Sequence, residues 1–369
     1  MKLSLYEQLY THVADAINSG QLKPGDRVPS EKDLAEQFNV SRITSKKALE
    51  RLYQDGLIDR IRGKGSFVAQ NAPTQEVGKP VIRNNGQVIP KLIGVIVPDY
   101  SDSYGLKLIH AIEEQSAKAG YHIVIRRTYG LQDREESAIL SLVQLGVSGL
   151  IIFPVHGDYY NQQLLRLVLS DFPVVLVDRY LKGIPASTVY TDNISASKRL
   201  THYLLDKGHQ QIAFISPPAE NTSSIEERIH GFQQALRAHG SPYNPDLVLT
   251  SLYSTLPTAL DRERIAKDKA TLRAFIERIP EVTAIVACEY NLAVMTQQVL
   301  QELDRQCEIV CFDSSDSPLT PSPFTHIQQH EAKMGTTAVD LLLRQHQGSA
   351  EPSNHIIDFD FVEVEKSQR

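Results

Sequence analysis

Residues 92–97 read Leu92-Ile93-Gly94-Val95-Ile96-Val97, and Pro98 ends them. Six apolar residues without polar alternation suit a strand covered on both faces, as in a parallel sheet between layers of helices. The same kind of run recurs down the chain: His122–Ile125, Gly149–Phe153, Pro173–Val177, Ile212–Ile215, Ala284–Ala287 and Glu308–Phe312. Amphipathic helical stretches lie between them, with apolar residues at Ile109, Ile112 and Ala117, and at Leu200, Leu204 and Leu205. Strand–helix–strand repetition predicts an α/β fold with right-handed crossovers. A stretch of roughly 270 residues exceeds what one core holds, so two doubly wound parallel-sheet lobes are expected from residue 92 onward.

Upstream the pattern changes. Residues 71–91 contain Pro73, Pro80, Pro90, Gly78, Gly86 and Asn84-Asn85, with no sustained apolar period, and read as a linker. In residues 1–70, Leu5, Leu9, Val13 and Ile17 form one stripe of a first helix, which Gly20 and Pro24-Gly25 end. Ser30 can cap a second helix, with Asp33 as its capping-box partner. After the short turn Asn39-Val40, Ser41 caps a third helix, whose inward face is Ile43 or Thr44 with Ala48, Leu49 and Leu52. Ile58–Ile61 and Ser66–Val68 then make a hairpin around Arg62-Gly63-Lys64-Gly65. Two helices joined by a tight turn and followed by a Gly-containing hairpin make a winged helix-turn-helix.

Charge supports a nucleic-acid partner for this head alone. The whole chain carries −6, but residues 1–70 hold 11 basic against 9 acidic side chains, and residues 41–64 hold 7 against 3. A small basic reader ahead of an acidic body suits tethered binding to double-stranded DNA. A helix fits the major groove and its first turn reaches base edges. Arg42 can pair with guanine there, Ile43 can touch a thymine methyl, and Thr44 and Lys46 can take phosphates. At the wing tip Arg62 can insert, while Gly63 and Lys64 let backbone approach the phosphates. One such reader contacts too few bases for genomic specificity, so a homodimer on a pseudo-palindromic operator is expected.

The head resembles the GntR family of bacterial transcription regulators. The match rests on Pro24-Gly25, Val28-Pro29-Ser30-Glu31, Leu34-Ala35, Val40-Ser41-Arg42, Thr44, Lys46, Ala48-Leu49, Gly56-Leu57-Ile58 and Gly63–Val68. The resemblance implies DNA contacts from Glu31 and Lys32, from Ser41, Arg42, Thr44 and Lys46, and from Arg62 and Gly63. Ile43 departs from the polar residue common there.

The body is similar to the periplasmic-binding-protein-like effector domain of LacI/GalR repressors. The match rests on Leu92–Pro98 with Ser101 and Tyr104, Gly146–Ile152, Pro173–Arg179, Val189–Asn193, Gly208–Ile215, Glu227-Arg228, Cys311-Phe312-Asp313 and His326–Gln329. The resemblance implies a winged-helix domain over 1–70, a linker over 71–91 and an effector-binding, dimerising domain over 92–369. Its N-lobe would take about 92–190 and 320–347, and its C-lobe about 191–319 and 348–369. A GntR head on such a body resembles arabinose-repressor-like regulators.

Sugar sites need planar polar side chains at strand ends and an aromatic over the ring face. Arg179, Asp192 and Asp313 each lie just past an apolar run, where open α/β sheets bind ligands. Tyr104 is the candidate stacking residue, and Ser101, Arg228 and Gln329 join by resemblance. Where the family has Asn-Asp, this chain has Glu289-Tyr290: either Glu289 replaces the lost acceptor or Tyr290 gives a second ring platform, and either alters ligand specificity. A small neutral sugar effector is expected, with a sugar phosphate or acidic sugar as the alternative. Residues 252–268, rich in charge and turn formers, read as a surface insertion.

No stretch nears the ~20 apolar residues of a membrane span, and no signal core precedes the head. With only Cys288, Cys307 and Cys311, a reduced cytoplasmic protein without membrane association is expected. No catalytic motif, metal-ligand spacing or cofactor fingerprint is present. The reading is therefore of a regulator, not an enzyme. The alternative class is a non-regulatory sugar-binding α/β protein whose basic head serves a protein partner.

Overall fold

The computed structural model describes residues 5–18, 21–38, 40–54, 56–61, 65–69, 91–155, 161–170, 172–257, 261–315, 321–347 and 351–364. The chain divides into two compact units, Met1–Lys79 and Pro80–Arg369. The expected linker falls almost wholly outside the described residues.

The first unit contains α1 (Leu5–Asn18), α2 (Glu31–Gln37), α3 (Arg42–Gln54) and an antiparallel hairpin of β1 (Ile58–Ile61) and β2 (Gly65–Val68). Leu9, Val13 and Ile17 of the α1 stripe are buried against Leu34, Leu49 and Leu52. The capping box at α2 is complete: Asp33 N–H donates to Ser30 Oγ (3.3 Å), and Ser30 N–H donates to Asp33 Oδ2 (2.9 Å). Ser45 of α3 is fully buried, and its hydroxyl donates to the Glu31 carbonyl at 2.7 Å. That bond ties the third helix to the start of the second and fixes how α3 is presented.

The second unit has two lobes. The first holds β3 (Leu92–Val97), α4 (Leu106–Lys118), β4 (His122–Arg127), α5 (Gln132–Leu145), β5 (Leu150–Ile152), α6 (Gln162–Leu169), β6 (Val174–Val177) and β7 (Ser187–Thr191). The second holds α7 (Asn193–Asp206), β8 (Ile212–Ile215), α8 (Ser223–Ala238), β9 (Val248–Leu249), α9 (Arg262–Arg278), β10 (Ala284–Ala287), α10 (Tyr290–Glu302), β11 (Glu308–Phe312) and β12 (Thr325–Gln329). The chain then returns to the first lobe as α11 (Glu331–His346) and β13 (Asn354–Ile357). It crosses again at Asp358 to add β14 (Phe359–Val362) to the second lobe.

The sheet orders are β13-β7-β6-β5-β3-β4 and β14-β12-β11-β10-β8-β9. Every neighbouring pair is parallel except β12–β14. Both sheets reverse direction of winding at equivalent places, beside β3 and beside β8. Those are the switch points where such sheets hold ligands. The chain passes between lobes three times, at Asp192, at His330 and at Asp358.

One expectation needs correction, and one segment is more closely anchored than its composition implies. Residues 325–329 belong to the second lobe's sheet and 354–357 to the first lobe's, the reverse of the division expected after residue 319. Of residues 252–268, read as a surface insertion, the described ones are tied to the body at both ends, with residues 261–264 exposed between them. Leu252 and Ser254 are fully buried, Asp268 accepts both the Tyr253 and Ser254 N–H groups at 2.7 Å, and α9 begins within the segment. Among the described residues, no helix is long and apolar enough to cross a membrane.

Helix α8 crosses α7 so closely that a Cβ on Gly231 would lie 2.3 Å from the Ile194 carbonyl oxygen. Backbone cannot give way as a flexible side chain would. Gly231→Ala is therefore expected to lower stability by about 1–3 kcal/mol, despite the better helix propensity of alanine. Urea unfolding of the full chain checks this, and an unchanged midpoint would contradict the close approach.

Candidate functional site

In the head, the second and third helices and the hairpin enclose a groove of about 560 Å³ lined by Ser30, Glu31, Lys32, Arg42, Arg60 and Gly65 among others. Lys32, Arg42 and Lys46 are exposed. Ser41 accepts the Thr44 N–H at 3.2 Å, and the two hydroxyls lie 2.9 Å apart, so Ser41 caps α3 as its sequence position requires. The first turn of α3 carries no acidic residue. Arg42 therefore meets no carboxylate on its own turn. Glu31 is held by Arg60 at 2.7 Å. Arg60 was not singled out in the sequence because a lone arginine in a strand carries no signal. The Ile43 side chain and residues Arg62, Gly63 and Lys64 lie outside the described residues.

In the body, the carboxyl ends of both sheets face one cleft of about 250 Å³. Eight of the nine expected ligand residues line it: Ser101, Tyr104, Arg179, Arg228, Glu289, Tyr290, Asp313 and Gln329. Asp192 does not. It follows β7, two strands away from the switch point, and its carboxylate accepts the Ser195 N–H at 3.0 Å to cap α7. Tyr290 reaches the cleft, but its ring also packs edge-on against Phe324 (centroids 6.1 Å apart), so it is partly committed to the second lobe's core.

The structure adds Asp178, Phe153, Ser224, Thr255 and Asn291 to the lining. Asp178 is nearly buried, accepts the Tyr104 hydroxyl, and lies 3.4 Å from Arg179 Nε. It mirrors Asp313. Each is the first residue past its strand, each has left-handed backbone (φ +70 and +62), and each donates its N–H to the next strand, to Val189 at 2.9 Å and to Ile327 at 2.8 Å. The two lobes thus present one carboxylate each by the same local device.

The remaining polar groups hold this pair. Gln329 donates to both Asp313 oxygens, at 3.1 and 2.9 Å. Buried Arg228 donates from Nε to Asn193 (2.8 Å) and from Nη1 to the Cys288 carbonyl (2.8 Å), and stacks 3.8 Å over Phe312. Arg179 stacks 4.7 Å over Phe153. Behind the cleft, Glu331 accepts the Gly105 N–H at 2.6 Å. Burial pushes the Asp313 carboxyl up to about 8, against the pull of the Arg228 guanidinium. Burial also raises Glu289 and Glu331 above the usual carboxylate range. Acceptor-rich, desolvated and flanked by aromatic rings, the cleft is suited to taking hydroxyl donors.

A raised carboxyl carries a definite sign. An unfolded aspartate ionises near pH ~4, whereas folded Asp313 keeps its proton until about 8. Between those values the folded chain binds more protons, so stability falls as pH rises through that window. Asp313→Asn should therefore lose less stability between pH 5 and 8 than the parent. Thermal midpoints of the full chain measure this, and parallel declines in the two proteins would refute it.

Residues 91–365 match the family described as periplasmic binding proteins and sugar binding domain of LacI family, and residues 5–68 match bacterial regulatory proteins of the gntR family. The chain is 28% identical over 355 residues to an arabinose metabolism transcriptional repressor of Geobacillus stearothermophilus, covering 93% of this chain and 91% of that one. It is 26% identical to the protein of the same name from Halalkalibacterium halodurans, covering 92% and 88%. The crystal structure of transcription regulator CcpA of Lactococcus lactis superposes with a TM-score of 0.61 at 21% identity, over 74% of this chain and 98% of that one. That likeness is one of fold. With three quarters of its length in the first match and its head in the second, the chain belongs to the LacI family of periplasmic-binding-protein-like sugar binding domains, carries a GntR-family head, and is a DNA-binding transcription regulator.

Proposed function

We propose that the chain is a cytoplasmic repressor of carbohydrate-utilisation genes, without catalytic activity, which binds a pseudo-palindromic operator as a homodimer and is released by a small sugar. The observation that carries this reading is the cleft at both switch points, where Asp178 and Asp313 offer acceptors from opposite lobes beside Tyr104 and Phe153. A volume of about 250 Å³ lies at the small end of the range for ligand pockets and suits one sugar ring. Binding across two lobes favours the closed cleft. In a two-headed dimer, a change in body geometry lowers the effective concentration of the second head at its half-site. Such coupling is typically about 1–3 kcal/mol. The names of the arabinose repressors make arabinose the first sugar to try, although Glu289-Tyr290 gives this cleft its own chemistry.

Two measurements test the reading. A duplex selected from a random-sequence library by the full chain should be pseudo-palindromic. It should be bound about 5–150-fold more weakly once the right member of a pentose and hexose panel is added. Arg42→Ala should weaken binding by about 1–3 kcal/mol and relax preference at one base pair per half-site. Selection of no sequence, or unchanged affinity and preference in Arg42→Ala, would remove the assignment of α3 as the reading helix.

A further inference from the structure

The two cleft arginines have sequence neighbours that lie outside the described cleft lining and meet each other. Tyr180 follows Arg179 in the segment after β6, and Glu227 precedes Arg228 in the first turns of α8. Across the lobes the Tyr180 hydroxyl donates to Glu227 Oε1 at 2.9 Å, and the Tyr180 N–H donates to the Ser223 hydroxyl at 3.0 Å. Further along the same segment, Lys182 Nζ lies 2.6 Å from Glu226 Oε2. These bonds join the strand-end segment that carries Arg179 to the helix turns that carry Ser224, Ile225 and Arg228 of the cleft lining.

Each partner is also held from its own side. The Tyr180 ring packs on Tyr190 of β7, with centroids 5.2 Å apart, so its hydroxyl is presented at a fixed place. The second Glu227 oxygen faces Asn193 Nδ2 at 3.5 Å, beside the crossing at Asp192, and Asn193 Oδ1 accepts Arg228 Nε at 2.8 Å. Glu227 therefore touches the first lobe, the crossing and, through Asn193, a cleft arginine. The Lys182–Glu226 pair is a lesser tie, because its lysine is 65% exposed and such pairs contribute little in water. The Tyr180–Glu227 bond is half-buried and less screened, so it dominates the contact.

We infer that Tyr180 and Glu227 form a clasp between the lobes and act as positioning residues for the effector. The clasp holds Arg179 and Arg228 at one spacing across the cleft, so the space between them is shaped before a ligand enters. Neither clasp residue touches the ligand. A contact that favours closed lobes raises apparent affinity, because only the closed fraction of chains binds fully. The inference rests on the sugar-effector reading above for what the cleft takes, and on the lobe contacts alone for the clasp.

Hydrogen exchange of the full chain without ligand, read by mass spectrometry, tests the clasp. Tyr180→Phe keeps the ring on Tyr190 and removes one bond. Peptides over residues 178–184 and 222–228 should then exchange about 2–10-fold faster, with β6 and β8 unchanged. Calorimetric titration with arabinose, ribose, glucose and galactose tests the positioning. A sugar that binds the parent should bind Tyr180→Phe about 2–10-fold more weakly. Tyr180→Phe combined with Glu227→Ala should bind it no more weakly than Glu227→Ala alone, because both remove the same bond. Unchanged exchange in both segments overturns the clasp, and so does acceleration spread through β6 and β8, which marks a looser fold. A sugar bound by Tyr180→Phe as tightly as by the parent, or fully additive losses in the double variant, overturns the positioning role. If none of the four sugars binds the parent, the sugar-effector reading falls and the positioning role with it, while exchange still decides the clasp.

Discussion

Two carboxyl groups at the strand ends of one buried cleft cannot both ionise freely, and Asp313 keeps its proton to about 8 through burial and in part because of Asp178. Asp178 and Asp313 stand in that position because each ends a buried strand in left-handed backbone, a conformation that costs a non-glycine residue about 1–3 kcal/mol unless its surroundings impose it. Here the next strand imposes it. The N–H of each aspartate is captured by the neighbouring chain, at Val189 in one lobe and Ile327 in the other. The apolar runs that make the sheets thus serve the cleft indirectly. They hold two strained, desolvated acids at fixed places, and the polar shell of Gln329, Arg228 and Tyr104 follows from having to satisfy them.

The same acids meet at the place where the chain changes lobe. Gln329, which grips Asp313, is the last residue of β12, and His330 is the next crossing. His330 faces Asp358 at 3.3 Å and Asp360 at 2.9 Å, and Lys333 reaches Asp358 at 2.7 Å. Two of the three crossings are therefore linked to one another, and one of them is a single residue from a cleft side chain. A ligand that reorganised Asp313 would act on a side chain one residue from a segment that joins the two lobes. Occupancy of the cleft would reach both lobes through these linked crossings.

Much of this was legible in the sequence where burial speaks through apolar residues. Leu92–Val97, Val174–Val177 and Glu308–Phe312 form strands where their runs stand, and Ser30 with Asp33 makes the capping box its spacing predicts. What was not legible is burial of polar residues. Strand β12 contains Thr325, His326 and Gln329, all nearly buried, with partners in other elements: the Phe324 carbonyl for His326 and Asp313 for Gln329. Such a strand has no periodic signature, so the lobe division after residue 319 was misplaced. Asp268 is a second case: in a segment rich in charge it is a buried acceptor for two backbone N–H groups. Asp178 closed a run whose next residue, Arg179, drew attention, and its role depends on a φ angle that no residue pattern reports.

The central claim is that the effector engages a desolvated carboxyl, Asp313, which the empty cleft keeps largely protonated. With the Asp313 carboxyl raised to about 8, ligand hydroxyls that favour its ionised form must expel a proton at pH 7. The direct measurement is the heat of binding of a neutral sugar to the full chain at pH 7, in phosphate and in Tris. These buffers differ widely in ionisation enthalpy. The account predicts heats that differ between the buffers in the sense of proton release. Identical heats in the two buffers would contradict it.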